Sequence, residues 1–340
     1  MQTIDREKLI RTLEAVQPGL SNKDIVEQSS CFVFQNGMVH TFNDEIACSL
    51  ATDVKITCAV QAVTLLELLK RLPDKAVEIS VTEHELKIKG KRRKAGVRME
   101  KDILLPIDKI SSPKESAWTT LHDDFCEALS VVRQCTGKDE GAFALTCVHI
   151  TPKFIESCDS YQITRFKMKT RFKESILIRK EAALHIGSLD ITEFAEDETW
   201  AHFRNASGLV VSCRRYIEEY PDMKEILQVK GTKTTLPEGL AKTADTAGIF
   251  SAEADASNTV GVTLTAGKLI LRGEGNNGWY RETKKIKYDG PNMQFLIAPE
   301  LLKEITKRHR DCEITPDRLK VDGGKFVYVT CLEAVEEGTE

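Results

Sequence analysis

The sequence predicts an α+β protein built from three tandem copies of one two-layer domain, each with two helices on antiparallel sheet. Three observations predict it. An amphipathic helix pattern recurs about every 115 residues, at Asp5 to Val16, Leu121 to Cys135 and Leu236 to Phe250. A second helical pattern follows each of these, at Val63 to Arg71, Lys180 to Leu189 and Pro299 to Arg310. Between them lie runs of alternating apolar and polar residues, the mark of half-buried antiparallel strands. A repeat of that length is domain-sized, so the chain divides at 1–115, 116–232 and 233–332, with a short acidic tail at 333–340.

In the first repeat, Leu9, Ile10, Leu13 and Val16 form one stripe of the opening helix, and Pro18 and Gly19 stop it. A strand at Cys31 to Phe34 runs into Asn36-Gly37, a dipeptide that tolerates positive φ and signals a hairpin. A polar turn at Asn43-Asp44 precedes a strand region from Ile46 to Ile56. The second helix ends at Leu72-Pro73, because a proline disfavours helical geometry in the residue before it. Strands at Val77 to Val81 and Leu86 to Lys89 complete the unit.

The second repeat has strands at Ala144 to Ile150 and Gln162 to Met168 around a turn at Cys158-Asp159-Ser160, then strands at Thr199 to Phe203 and Gly208 to Cys213. In the third, Val260 to Thr265, Lys268 to Leu271, a Gly275 to Gly278 turn and Trp279 to Lys287 play the same parts. Order is preserved where residue identity is not.

With 340 residues, 41% apolar and 10 prolines, the chain can bury several cores. No apolar run reaches the roughly 18–20 residues that span a bilayer, and the N-terminus is charged from Asp5, so the sequence predicts a cytosolic protein. Its ten cysteines never form Cys-x-x-Cys and sit in apolar surroundings, which favours buried free thiols over disulfides or a metal site. The seven histidines lack metal-ligand spacing, and no phosphate-binding loop or nucleophile elbow is spelled. Gly273 to Gly278 spells Gly-x-Gly-x-x-Gly but lies between strands, so it reads as a hairpin rather than a dinucleotide site. Asp44 and Asp159 read as turn caps rather than catalytic carboxylates. No catalytic residue, metal or cofactor is predicted.

A net charge of −4 argues mildly against nucleic acid, but the cations gather in the helices. They are Arg6, Lys8 and Arg11 in the first, Lys70 and Arg71 in the second, Arg133 in the third, and Lys303, Lys307, Arg308 and Arg310 in the last. Basic helices lining one side of an arc attract a phosphate backbone without reading sequence. Lys91-Arg-Arg-Lys94 reads equally as a hairpin tip or as an interface or DNA contact.

The ordered set formed by the Asp5 helix with Pro18-Gly-Leu20, the segment Ala62 to Pro73, the Cys158-Asp159 turn, Tyr220-Pro221-Asp222 and the closing Tyr328-Val329 resembles the bacterial sliding clamp, the beta subunit of the replicative DNA polymerase. The resemblance covers residues 1 to 332. It implies a ring-forming DNA clamp fold and a head-to-tail homodimer around duplex DNA. The implied function is a processivity factor that tethers polymerase and is opened by a clamp loader, without catalysis. By resemblance, Lys23 and Lys138 match DNA-contacting positions. The dimer seam would join Leu68 and Leu72 to Ile249 and Phe250, with the basic run and Arg98 facing Glu274 and Glu282.

The resemblance also implies a partner-peptide pocket. Its positions here are Leu145, Cys158, Ser160, Tyr161, Gln162 and Ile163, then Pro221, Glu225 and Ile226, then Val329, Thr330, Cys331 and Leu332. This sequence departs from the family at Ser160-Tyr161-Gln162, where Gly-His-Arg is usual, and at Glu225, where a basic residue is common. Those departures and the short chain point to a phage or mobile-element member. Two rival readings are a partner-binding decoy that does not close on DNA, and a thiol enzyme pairing Cys158 with His149.

Overall fold

A computed structural model describes residues 2–21, 26–110, 113–251 and 259–334. The chain forms two compact units. The first comprises 1–133, 147–152 and 169–218, and the second comprises 134–146, 153–168 and 219–340. Six α-helices occur among the described residues: α1 (Arg6–Ala15), α2 (Ala62–Arg71), α3 (Phe125–Val132), α4 (Lys180–Ile186), α5 (Leu240–Ser251) and α6 (Pro299–Arg308). None is long and apolar enough to cross a membrane.

Local chemistry sets the helix ends. Asp5 caps α1 by accepting the Lys8 N–H at 2.7 Å, and Leu9, Ile10 and Leu13 are its buried stripe. In α2, Leu65, Leu66 and Leu69 are buried while Lys70 and Arg71 occupy the last turn, where cations complement the helix dipole. Helix α5 begins four residues later than the sequence pattern, because Gly239 takes a positive φ of 71° just before it. Helix α3 is shorter than predicted, since residues 133–135 tighten into a 3-10 turn.

In the first unit, α1 to α4 accompany one antiparallel sheet of twelve strands. Its order is 2–5, 76–81, 85–89, 94–100, 58–61, 31–35, 38–42, 46–51, 210–214, 200–205, 191–196 and 119–120. Asn36 and Gly37, both at positive φ, make the predicted two-residue hairpin between 31–35 and 38–42. Phe125, Phe172, Phe194 and Phe203 stack in the core, with the Phe172 and Phe194 centroids 4.1 Å apart.

The sheet is joined at its middle, where 46–51 pairs with 210–214 from Ile46 opposite Cys213 to Ser49 opposite Val210. Arg214 clamps that joint by donating to the Asp44 carbonyl and carboxylate, each at 2.6 Å. The Tyr216 hydroxyl meets the Glu45 carboxylate at 2.6 and 2.7 Å.

In the second unit, α5 and α6 pack on a five-stranded sheet ordered 278–285, 268–275, 260–265, 293–297 and 333–334. A further run of strands is ordered 154–158, 162–167, 326–331, 318–322, 311–314 and 232–235. Here 162–167 pairs with 326–331, from Gln162 opposite Thr330 to Phe166 opposite Phe326. Both partners lie about 116 residues beyond those of the first joint. The predicted tail starts inside structure, because Glu333 and Ala334 extend the sheet opposite Leu296 and Phe295; residues 335–340 lie outside the described residues. The Gly273 to Gly278 segment is a hairpin, with Gly275 opposite Gly278. Gly273 also lets α5 lie on its strand, since a Cβ there would overlap the Ala247 carbonyl.

Candidate functional site

The structure separates the helix cations into exposed and internally engaged groups. Arg6 turns inward, donating to the Asp74 and Leu69 carbonyls at 2.7 and 2.9 Å, with its side chain 12% exposed. It thereby closes the C-terminal end of α2, where unpaired carbonyls favour a cation. Lys70 of α2 reaches Glu14 of α1 at 2.6 Å, and Lys303 of α6 reaches Asp245 of α5 at 2.6 Å. Each helix pair is thus latched by a lysine and an acid, and the acid raises the Lys303 amine above its ordinary range. Arg71 pairs with Glu67 at 3.0 Å on the exposed side of α2. Arg11 and Lys138 are exposed and Arg133 is half-buried. Lys23 and the Lys307 side chain lie outside the described residues.

The residues predicted for a seam differ in exposure. Leu68 is half-buried on α2, and Leu72, just past its end, is buried. Ile249 at the end of α5 is 67% exposed, beside a half-buried Phe250 whose ring approaches Gly278. Trp279, absent from the predicted set, is 63% exposed in the same region. Lys91-Arg-Arg-Lys94 is a hairpin tip: the Asp74 carboxylate accepts the Lys91 N–H at 3.0 Å and lies 3.8 Å from Arg93. Glu274 pairs with Arg272 at 2.7 Å. Glu282 is held by Lys284 at 2.8 Å, by Tyr280, and by Thr243 at 3.0 Å. The Lys284 and Tyr280 contacts push its carboxyl down to about 2.

The predicted peptide-pocket residues gather within the second unit. Cys158, Ile163, Met223, Val229, Val327 and Val329 form a buried apolar cluster, with Leu145, Tyr220 and Leu227 half-buried against it. Strand pairing sets Ile163 opposite Val329 and Cys158 opposite Ile163. Asp159 fixes the turn as the sequence predicts. Its carboxylate accepts the Tyr161 and Gln162 backbone N–H groups at 2.8 and 2.9 Å, and the Gln162 side chain at 3.0 Å. The Gln162 amide oxygen in turn accepts the Tyr328 hydroxyl at 3.0 Å.

Cys331 donates its N–H to the Tyr161 carbonyl at 2.7 Å, and the Tyr161 side chain is left 63% exposed. Ser160, Pro221, Glu225 and Cys331 are exposed at the rim, Ile226 is 38% exposed, and Thr330 and Leu332 are buried. Around that buried cluster the predicted slot presents Tyr161 and Ile226 to solvent among polar edges. Met223, Leu227, Val229 and Tyr220 were not in the predicted set. The sequence does carry a signal for them: Met223 and Leu227 stand four apart just after Tyr220-Pro221-Asp222, and the Leu227 N–H closes a helical turn on Met223.

The slot offers no activated nucleophile. Burial pushes the Cys158 thiol up to about 11, against the single lowering effect of the Tyr220 hydroxyl. A nucleophilic cysteine needs the reverse shift. None of the ten cysteines is joined in a disulfide. A concavity of about 550 Å³ in the first unit is lined largely by polar groups. There His202 meets Ser212 at 2.7 Å and Asp197 at 3.3 Å, while Arg204 binds Glu115 and Glu193 and stacks on Trp118 at 4.5 Å.

The class of protein that this architecture defines is the bacterial sliding-clamp fold, and solved structures match over nearly the whole chain. The DNA polymerase III beta chain of Streptococcus pneumoniae superposes with a TM-score of 0.82 at 14% identity, covering 98% of this chain and 99% of that one. The beta subunit of Thermotoga maritima gives 0.81 at 14% identity over 98% and 99%. A putative beta subunit from Eubacterium rectale gives 0.80 at 16% identity over 97% and 98%. No family model matches the sequence, and no curated protein does.

Proposed function

We propose that this chain is a DNA sliding clamp, a processivity factor without catalytic activity. Its three clamp domains, 1–115, 116–232 and 233–332, and those of a second copy close a head-to-tail ring around duplex DNA. The observation that carries this reading is the end-to-end likeness to solved sliding clamps. Two sheet margins support it. Residues 94–98 pair with 85–89 on one side only, since 58–61 meets the strand just at residues 99 and 100. Strand 278–285 is likewise the edge of its sheet, next to exposed Ile249 and Trp279. Unpaired edges flanked by apolar side chains are where strand pairing between copies would form the seam.

Inside the ring, Arg11, Lys70, Arg71, Arg133, Lys138, Lys303 and Lys307, with Lys23, hold the backbone electrostatically and without base readout, which is what sliding requires. Arg6 contributes by shaping α2. The apolar slot tethers a polymerase by a short peptide, and a separate loader opens the ring. No cofactor is involved. The test is solution mass across a dilution series, followed by retention on circular against linearised DNA. A species near twice the 38.1 kDa chain mass, retained on circles only, is expected. A monomer at every concentration overturns the ring.

A further inference from the structure

We propose that the slot selects partner segments in which apolar side chains stand beside a lysine or arginine, and that Glu225 sets this preference. This rests on the reading of the slot as a peptide site. Exposed Tyr161 and Ile226 beside the buried cluster offer apolar contact to any segment, so discrimination must come from the charges at the rim.

The charges around the slot are divided unequally. Arg165 has both its Nε and Nη2 at 2.7 Å from the Glu156 carboxylate, and its guanidinium covers the Phe154 ring at 4.1 Å. Lys224 faces Asp222 at 3.2 Å, and Asp222 also accepts the Lys224 N–H at 3.0 Å. Asp159 is filled by its three turn donors. Glu225 differs from these groups. It is exposed, precedes the half-exposed Ile226 on the loop that walls the slot, and has no ion pair among the described residues. Glu219 is exposed at the start of the same loop, and Lys230 lies past the buried Val229 at its far end. Lys320 stands half-buried opposite Val329, so the preference is confined to the Glu225 rim, where an incoming cation meets a carboxylate without an ion partner among the described residues and an incoming carboxylate is repelled.

The test is fluorescence anisotropy on the intact protein with two labelled peptides sharing one apolar core and differing in a flanking Lys or Glu. The Lys peptide is expected to bind about two- to fivefold tighter at low salt, the size of an exposed ion pair, with the gap closing at high salt. Glu225→Lys, on an exposed side chain, should reverse the order without altering the far-UV spectrum. Equal binding of both peptides, abolished by Ile226→Asp, overturns the charge preference and leaves the slot standing. An order unchanged in Glu225→Lys overturns the role of Glu225. Binding of neither peptide overturns the slot reading and this proposal with it.

Discussion

The Tyr220 hydroxyl holds two atoms of Cys158 at once, accepting its backbone N–H at 2.8 Å and donating to its sulfur at 3.2 Å. This is the link between the loop 219–229 and strand 154–158, hence between one wall of the slot and its floor. Tyr220→Phe keeps the ring but leaves a buried N–H without its acceptor. It is expected to lower stability by about 1–3 kcal/mol in chemical denaturation and to weaken peptide binding at the slot.

The same contact bears on reactivity. With the Cys158 thiol pushed up to about 11, its alkylation rate should keep climbing from neutral pH toward that value. Mass spectrometry of timed alkylation at several pH values measures it. A plateau near neutral pH would restore an activated thiol and with it the enzyme reading.

Gly273→Ala is a steric test of the helix-on-sheet packing. The added methyl meets the Ala247 carbonyl, which belongs to helix backbone and cannot rotate away. A loss of about 1–3 kcal/mol is expected in thermal or denaturant melts, the size of an overpacking defect. An unchanged melting temperature would mean that α5 can slide outward freely.

Acid should lower stability over two pH ranges that variants can separate. Burial holds the His202 imidazole below its ordinary value, opposed by the nearby Asp197 carboxylate. The unfolded chain then binds more protons, so this contribution is complete above about pH 6.5 and declines below it. Glu282, depressed to about 2, contributes above its ordinary 4.5 and loses that contribution as the pH falls toward 2. Melts from about pH 7 to about pH 2 should show His202→Gln flattening the upper limb and Glu282→Gln the lower.

At the proposed seam, exposure decides which substitution is informative. Leu72 is buried within its own protomer, so a lysine there damages the fold before it tests association. Ile249→Lys is the cleaner change, because the side chain is 67% exposed. It is expected to alter monomer stability by less than about 0.5 kcal/mol and to shift the solution mass from dimer to monomer. A dimer that persists through Ile249→Lys and Trp279→Glu would place the seam elsewhere.

Much of the fold is legible along the sequence because its signals are local. All six helices follow from apolar spacing, and the Asn36-Gly37 and Gly275 to Gly278 hairpins follow from turn chemistry. What is not legible depends on direction or distance. Arg6 lies on the same helix as Arg11, yet one guanidinium folds onto the Leu69 carbonyl of α2 and the Asp74 carbonyl beyond it while the other faces solvent, a choice set by a segment distant in sequence. The slot was half legible. The turn at Asp159 announces itself, whereas Met223, Leu227 and Val229 become lining only because the strands 162–167 and 326–331 meet beside them.

That meeting has a consequence for the order in which the molecule comes into being. Strand 162–167 waits for a partner some 160 residues downstream, just as 46–51 waits for 210–214. During synthesis each waiting strand presents an open ladder of backbone donors and acceptors, a template for pairing with other chains. The apolar cluster of the proposed slot cannot close before Val327 and Val329 emerge, after every other residue of it. On the proposed reading, capture of a partner peptide has to await the emergence of residue 329.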